Sequence, residues 1–161
     1  LTLTLTLTLT LTLTPTLTLT LTRHDLDNCD TLLEAGLGFT ADYDKPGGFV
    51  GMEACLAQRR AGGPVQRLVQ VCLAAPEPLL FHGEVVYRNG EIVGDVRAAS
   101  YGHTLGGAVG LSMVRAADGE RVVTPAWVNG GDWEVDVAGV RVPARASLRP
   151  MYDPKNERIR L

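Results

Sequence analysis

Four side chains in this sequence could do chemistry. Lys45 places a cation at a turn, directly before Pro46. Tyr101 and His103 stand two residues apart in Ser100-Tyr101-Gly102-His103-Thr104, and a histidine can carry a proton near neutral pH. Tyr152 sits between Pro150 and Pro154, where a tyrosine can stack its ring and hydrogen-bond at its tip. Each has a structural alternative: an exposed turn lysine, a turn-stabilising histidine, an anchor that pins the chain. Both readings stay open at this point. Cys29, Cys55 and Cys72 are odd in number and show no Cys-x-x-Cys or Cys/His spacing, so neither a disulfide framework nor a metal site is expected. His24 and His82 have no partner spacing. Trp127 and Trp133 read as packing residues, as do Met52 and Cys55.

The elements that must position these residues begin late in the chain. Residues 1–22 contain only Leu, Thr and Pro15, and all 15 basic and 18 acidic side chains follow them. The net charge of −3 offers no clustered basic face for a nucleic acid. The tract's strict period of two is a β-prone, uncharged pattern, an aggregation hazard rather than a fold element. Every second residue is Thr, unlike a membrane span. No basic n-region precedes it, unlike a signal peptide. The hexamer CTAACC translates as Leu-Thr, and Pro15 needs one base change, CTA to CCA. Residues 1–22 are therefore expected to be a translated telomere-type repeat, the alternative being a low-complexity tail of biological use, and the absence of an initial Met points to an incomplete chain.

Beyond Arg23 the segment Thr31–Lys45 reads as a loop leading into a short strand, with Leu37, Phe39 and Ala41 alternating. A helix is expected from about Gly51 to Ala61, where Met52, Cys55, Leu56 and Arg59 recur at helical spacing and Gly62-Gly63-Pro64 stops it. From Val65 the pattern becomes β. Arg67–Ala74 alternates, and Pro76-Glu77-Pro78 ends it. Asn89-Gly90 lies between two apolar arms, the pattern of a type I′ hairpin. Leu111–Val114 is a further strand, with Asp118-Gly119 as a turn before Arg121-Val122-Val123. Trp133–Val137 and Val140–Pro143 flank Ala138-Gly139 as a second tight hairpin. These short strands predict a small antiparallel barrel or sandwich over 64–161.

Several phrases in order resemble one family. Thr31-Leu32-Leu33-Glu34-Ala35-Gly36-Leu37-Gly38-Phe39, Asp44-Lys45 and Phe49-Val50-Gly51-Met52-Glu53-Ala54 are similar to T-P-x-E-A-G-L-G-F, D-K and D-F-I-G-R-E-A. Gly83-Glu84-Val85-Val86, Ile92-Val93-Gly94-Asp95-Val96 and Ser100–Gly106 resemble its barrel strands and the loop between them. Val142-Pro143-Ala144-Arg145 and Pro150–Arg158 resemble its chain end. The family is that of the glycine cleavage T-protein, an aminomethyltransferase. The Tyr-Gly-His and Tyr-Asp-Pro variants bring the sequence nearest to the carboxyl-terminal half of dimethylglycine and sarcosine dehydrogenases.

The resemblance implies a mainly β fold: a small antiparallel carboxyl-terminal barrel at 64–161, preceded at 23–63 by a strand-plus-helix remnant of a larger α+β folate-binding domain. It also implies tetrahydrofolate-dependent one-carbon chemistry in glycine metabolism. Folate takes an aminomethyl group from a lipoyl carrier, or captures the one-carbon unit of an N-methyl amine oxidised by an upstream FAD domain. Lys45 then falls where family members place a basic residue near folate, and a cation there would pair with the cofactor's glutamate carboxylates. Tyr152 lies in a tail that in relatives reaches toward the folate channel, with Tyr101 and His103 as further binding candidates. The family's catalytic Asp and pterin-contacting Glu lie upstream of Asp25, and no G-x-G-x-x-G is present, so FAD belongs only to an upstream domain. No catalytic residue is assigned, and this stretch alone is expected to be inactive.

The alternative is a non-catalytic regulatory or binding module, since the barrel also occurs in a regulatory subunit of pyruvate dehydrogenase phosphatase. The expected partners are a small-molecule substrate and folate, with neither nucleic acid nor membrane. The expected location is the mitochondrial matrix for a eukaryotic parent and the cytoplasm otherwise, although no Arg-rich presequence is present. The repeat hypothesis predicts that the coding DNA for residues 1–22 is a CTAACC hexamer array altered by a single base at the Pro15 codon. Sequencing through Arg23 checks this, and non-repetitive codons would refute it.

Overall fold

The computed structural model describes residues 26–116, 122–158 and 160. The Leu-Thr tract, His24 and the Asp118-Gly119 turn lie outside the described residues. The chain divides into two units, 1–30 and 31–161. In the first, the Asp27 carboxylate accepts the backbone N–H groups of Cys29 (2.7 Å) and Asp30 (3.2 Å), an Asx turn.

The second unit is built on six strands. They are β1 (Gln66–Leu73), β2 (Val85–Arg88), β3 (Glu91–Gly102), β4 (Gly107–Arg115), β5 (Trp133–Val137) and β6 (Val140–Ser147). They close in the order β1-β4-β3-β2-β5-β6, and every pairing is antiparallel. This is the antiparallel barrel expected from the sequence. β2, β3 and β4 form a meander, and β1 returns beside β4, a Greek-key connection. Both anticipated hairpins form. Asn89 and Gly90 have φ of 52° and 84°, and Ala138 and Gly139 have 53° and 83°, the left-handed pair a type I′ turn requires. β3 carries register shifts opposite Val86/Tyr87 and between Val96 and Ala98. Such bulges bend a long strand round a tight barrel.

Alternation along the strands fills the interior. Val69, Val71, Val86, Val96, Val114 and Val135 are fully buried, each stabilising the fold by about 1.5–3 kcal/mol. Small β-branched side chains suit a barrel with few strands, whose lumen is narrow. A pair of tryptophans joins this core. Trp127 and Trp133 pack edge to face at 5.6 Å, and Trp133 Nε1 donates to the Val128 carbonyl at 2.9 Å. The Arg88 guanidinium lies 4.2 Å from the Trp127 ring centroid, and its Nε donates to the Trp127 carbonyl at 3.1 Å.

Two helices complete the unit. α1 (Met52–Arg60) matches the expected helix, with Cys55 buried. α2 (Pro125–Asn129) was not foreseen; Thr124 Oγ1 accepts the Trp127 N–H at 3.1 Å and Pro125 opens its first turn, a pairing favoured at helix starts. Neither is long and apolar enough to cross a membrane. Val122 and Val123 are not in a strand, although Val123 N donates to the Pro64 carbonyl at 3.0 Å.

The strand expected at Leu37–Ala41 is absent. A single 3₁₀ turn, Gly38–Thr40, stands there. The reason is local. Thr31 and Glu34 form a capping box, with Thr31 N donating to Glu34 Oε2 (2.7 Å) and Glu34 N to Thr31 Oγ1 (3.3 Å). Gly36, at φ 75°, closes the turn, with Leu37 N on Leu32 O (2.8 Å) and Gly36 N on Leu33 O (3.2 Å). That is a Schellman closure, so the chain coils where alternation suggested extension.

β3 and β4 approach closely at Gly94, where a Cβ would run into the Met113 carbonyl. Gly94→Ala is expected to lower the unfolding free energy by about 2 kcal/mol or more. Urea denaturation checks this, and an unchanged midpoint would show that the strands do not meet there.

Candidate functional site

The barrel closes unevenly, and the seam between β1 and β6 becomes a cleft. β1 pairs with β4 from Gln66 to Cys72 but with β6 only from Gln70 to Leu73. The first half of β1 therefore lacks a strand on its β6 side. Part of that edge is satisfied by the turn above it, because Leu68 N donates to the Glu34 carbonyl at 2.8 Å. Between the diverging strands lies a cleft of about 240 Å³, whose walls include Gly36, Arg67, Leu68, Leu111, Leu148 and Arg149. A second cleft of about 400 Å³ shares Gly36 and Arg67 and is bounded by Phe39, Arg59 and Gly62–Pro64. Arg67 thus stands where the two adjoin.

A buried polar network holds the roof. Glu34 is 8% exposed. Besides its capping bond, it accepts Gln58 Nε2 at 3.5 Å, while Thr31 Oγ1 donates to Gln58 Oε1 at 2.9 Å. The turn is thereby fixed to α1, which also delivers Arg59. The floor is tied to the tail, as Met151 N donates to Gln70 Oε1 at 2.7 Å. No described carboxylate lines either cleft, and Arg67 Nε is buried without a hydrogen-bond partner. The arrangement offers cations, main-chain groups and apolar walls. It can bind and orient an anion, and it presents no side chain positioned to take a proton from one.

The residues singled out in the sequence lie apart. Lys45 is exposed on the loop before α1, its carbonyl accepting Gly48 N at 2.9 Å. Tyr152 is 45% exposed and follows the cleft wall formed by Arg149 and Pro150. Arg158 Nη1 donates to its hydroxyl at 3.2 Å. Tyr101 and His103 meet edge to face at 5.1 Å. They stand at the β3–β4 turn, which is closed by Leu105 N and Gly106 N on the Gly102 carbonyl. That turn belongs to the opposite end of β1 from Arg67, since Cys72 pairs with Val109 while Arg67 pairs with Val114. Five residue steps along β1, from Arg67 to Cys72, span about 17 Å. The fold brings Tyr101 to His103, but neither they nor Lys45 and Tyr152 line either of these two clefts. Arg59, Arg67, Arg149 and Gln70 were missed because they converge only through the uneven closure. Glu34 had a signal, Thr-x-x-Glu ahead of a glycine. Among the described residues no group of three or more His, Cys, Asp or Glu could hold a metal. The three cysteines are free, with Cys55 and Cys72 buried.

Residues 66–153 match the model of the glycine cleavage T-protein C-terminal barrel domain. Among curated proteins, a 4-methylaminobutanoate oxidase (formaldehyde-forming) of Paenarthrobacter nicotinovorans is 44% identical over 85% of this chain and 15% of its own length. The mitochondrial sarcosine dehydrogenase of Homo sapiens is 36% identical over 84% of this chain and 14% of its own. The mitochondrial pyruvate dehydrogenase phosphatase regulatory subunit of Mus musculus is 33% identical over 79% and 15%. The chain thus spans about one-seventh of the length of these relatives. The crystal structure of the glycine cleavage system aminomethyltransferase T from Bartonella henselae shares the fold, with a TM-score of 0.61 at 22% identity, over 78% of this chain and 33% of that one.

The roof network carries its own test. Glu34→Ala removes a capping bond and the Gln58 contact, and is expected to cost about 1–2 kcal/mol. Thermal unfolding reads the loss, and a wild-type midpoint would show that the turn is held by other contacts.

Proposed function

Given that the chain belongs to the glycine cleavage T-protein family through its carboxyl-terminal barrel, we propose that it is the closing and ligand-positioning part of a tetrahydrofolate-dependent site in one-carbon metabolism. Two relatives are named for methylamino substrates, 4-methylaminobutanoate and sarcosine, which favours an N-methyl-amine-oxidising parent over a lipoyl-dependent one. The observation that carries the reading is the composition of the cleft walls: guanidiniums and apolar residues line them, and no carboxylate does. In this reading the barrel binds, and the groups that move protons stand on another part of the parent. For a eukaryotic parent the location is mitochondrial, as in the named sarcosine dehydrogenase.

The exposed residues fit tetrahydrofolate in two respects. Lys45 offers an unburied cation for a glutamate carboxylate. Tyr152 presents a half-exposed ring, steadied by Arg158, for a flat aromatic group. Folate would supply the acceptor for the one-carbon unit, and these residues would orient it. Flavin enters only with a further domain, because the described barrel is wholly antiparallel and the sequence has no dinucleotide fingerprint.

A second reading is favoured by the phosphatase regulatory subunit among the relatives: a binding module that serves regulation without turnover. Joining this chain to the amino-terminal domain of an aminomethyltransferase separates the two. The first reading expects tetrahydrofolate binding by titration calorimetry, weakened about five- to tenfold by Lys45→Ala, the effect of one charge-assisted contact. An unchanged Kd would remove Lys45 from the site, and a joined protein that binds no folate would favour the regulatory reading.

A further inference from the structure

We propose that the seam between β1 and β6 is a binding site for a small amphipathic carboxylate, with Arg67 as its anchor. It draws on the same cleft walls as the folate reading but on neither of the contacts assigned there to folate, since Lys45 and Tyr152 do not line the seam, so loss of folate binding and loss of hexanoate binding are read separately. The first support is charge. In a chain of net charge −3, the two adjoining clefts are lined by Arg59, Arg67 and Arg149, and by no Asp or Glu. A lining with cations and no carboxylate carries a positive local potential, which a bound anion neutralises.

The second support is a polar group left over. Arg67 Nε is buried and no described group bonds to it, although buried donors in folded proteins are almost always paired. The neighbouring arginines differ. Arg59 lies 4.3 Å from the Tyr43 ring centroid, and Arg149 is exposed at the cleft edge. The Nε–H and one Nη–H of a guanidinium form a planar fork that matches the two oxygens of a carboxylate.

The third support is shape. Leu68, Leu111 and Leu148 line the same cleft as Arg67. The ligand therefore carries an apolar body beside its anionic head, which favours a short-chain carboxylate over inorganic phosphate. The cleft's volume of about 240 Å³ suits a molecule of that size.

The test follows the arginine side chains directly. The full chain, labelled with ¹⁵N, is titrated with hexanoate while the Arg Nε–Hε resonances are recorded, with inorganic phosphate in parallel. Arg67→Lys identifies the Arg67 signal and removes the fork. The expected result is a saturable shift of that signal with hexanoate and a weaker response to phosphate. Arg149→Gln, at an exposed position that should fold as the parent does, is expected to weaken hexanoate binding about threefold to tenfold. Leu111→Ala is expected to weaken hexanoate and leave phosphate unchanged. A signal that hexanoate does not move, or moves without saturating, overturns the site. Equal binding of phosphate and hexanoate, insensitive to Leu111→Ala, overturns the carboxylate assignment.

Discussion

A sheet with free edges must either close or cover them, because every unpaired strand N–H and C=O left away from water costs free energy. Six strands of four to twelve residues cannot pair over equal lengths, so closure here is complete in order and incomplete in extent. Part of the shortfall falls on the seam where the first half of β1 runs beyond its pairing with β6, as the second half of β3 runs beyond β2. The Glu34 carbonyl reaches across to Leu68, and the Gln70 side chain holds Met151. The segment before the barrel and the tail after it are thus both recruited to the same defect. The candidate site is what remains between them.

The same closure sets the composition of the interior. A narrow lumen accepts β-branched side chains of one size, and the core is accordingly rich in valine. Of the large aromatics, Trp127 enters with α2 and Trp133 with β5. Trp127 and Trp133 pack against each other, with Arg88 over the Trp127 ring. The three elements converge through contacts that each satisfy a carbonyl or a ring face, so the packing leaves few polar groups without partners. Among the described residues, Arg67 Nε is one of three buried side-chain atoms without a hydrogen-bond partner, with the Tyr43 hydroxyl and Glu84 Oε2.

Much of the barrel was legible in the sequence, because its signals are local. Asn89-Gly90 and Ala138-Gly139 specify left-handed turns, and alternation on either side specifies strands whatever lies across from them. α1 was legible from its spacing and its Gly-Gly-Pro stop. The strand at Leu37–Ala41 failed because alternation over five residues is a weaker instruction than the Thr31–Glu34 capping box and Gly36 just upstream. α2 was missed because five residues are too few to show a helical period; its sign was Thr124-Pro125. The site was least legible. Tyr101 and His103, two residues apart, did come together. Arg59, Arg67 and Arg149 occupy a helix, a strand and a tail, and no spacing relates them.

That difference bears on how the barrel contributes to function. A site that moves protons needs groups with matched acidity held within hydrogen-bond reach, and such constellations require several elements to converge with sub-ångström care. A site that only gathers an anion needs less: cations from separate elements, an apolar wall and exclusion of opposing charge. The described walls of this seam carry the ingredients of the second. Its arginines come from three elements whose relative placement is fixed by closure, by the Glu34 network and by the Gln70 tether. On the reading proposed above, a barrel of this kind keeps a binding role while the chemistry around it varies. The relatives bear the names of an oxidase, a dehydrogenase and a regulatory subunit, all sharing this domain.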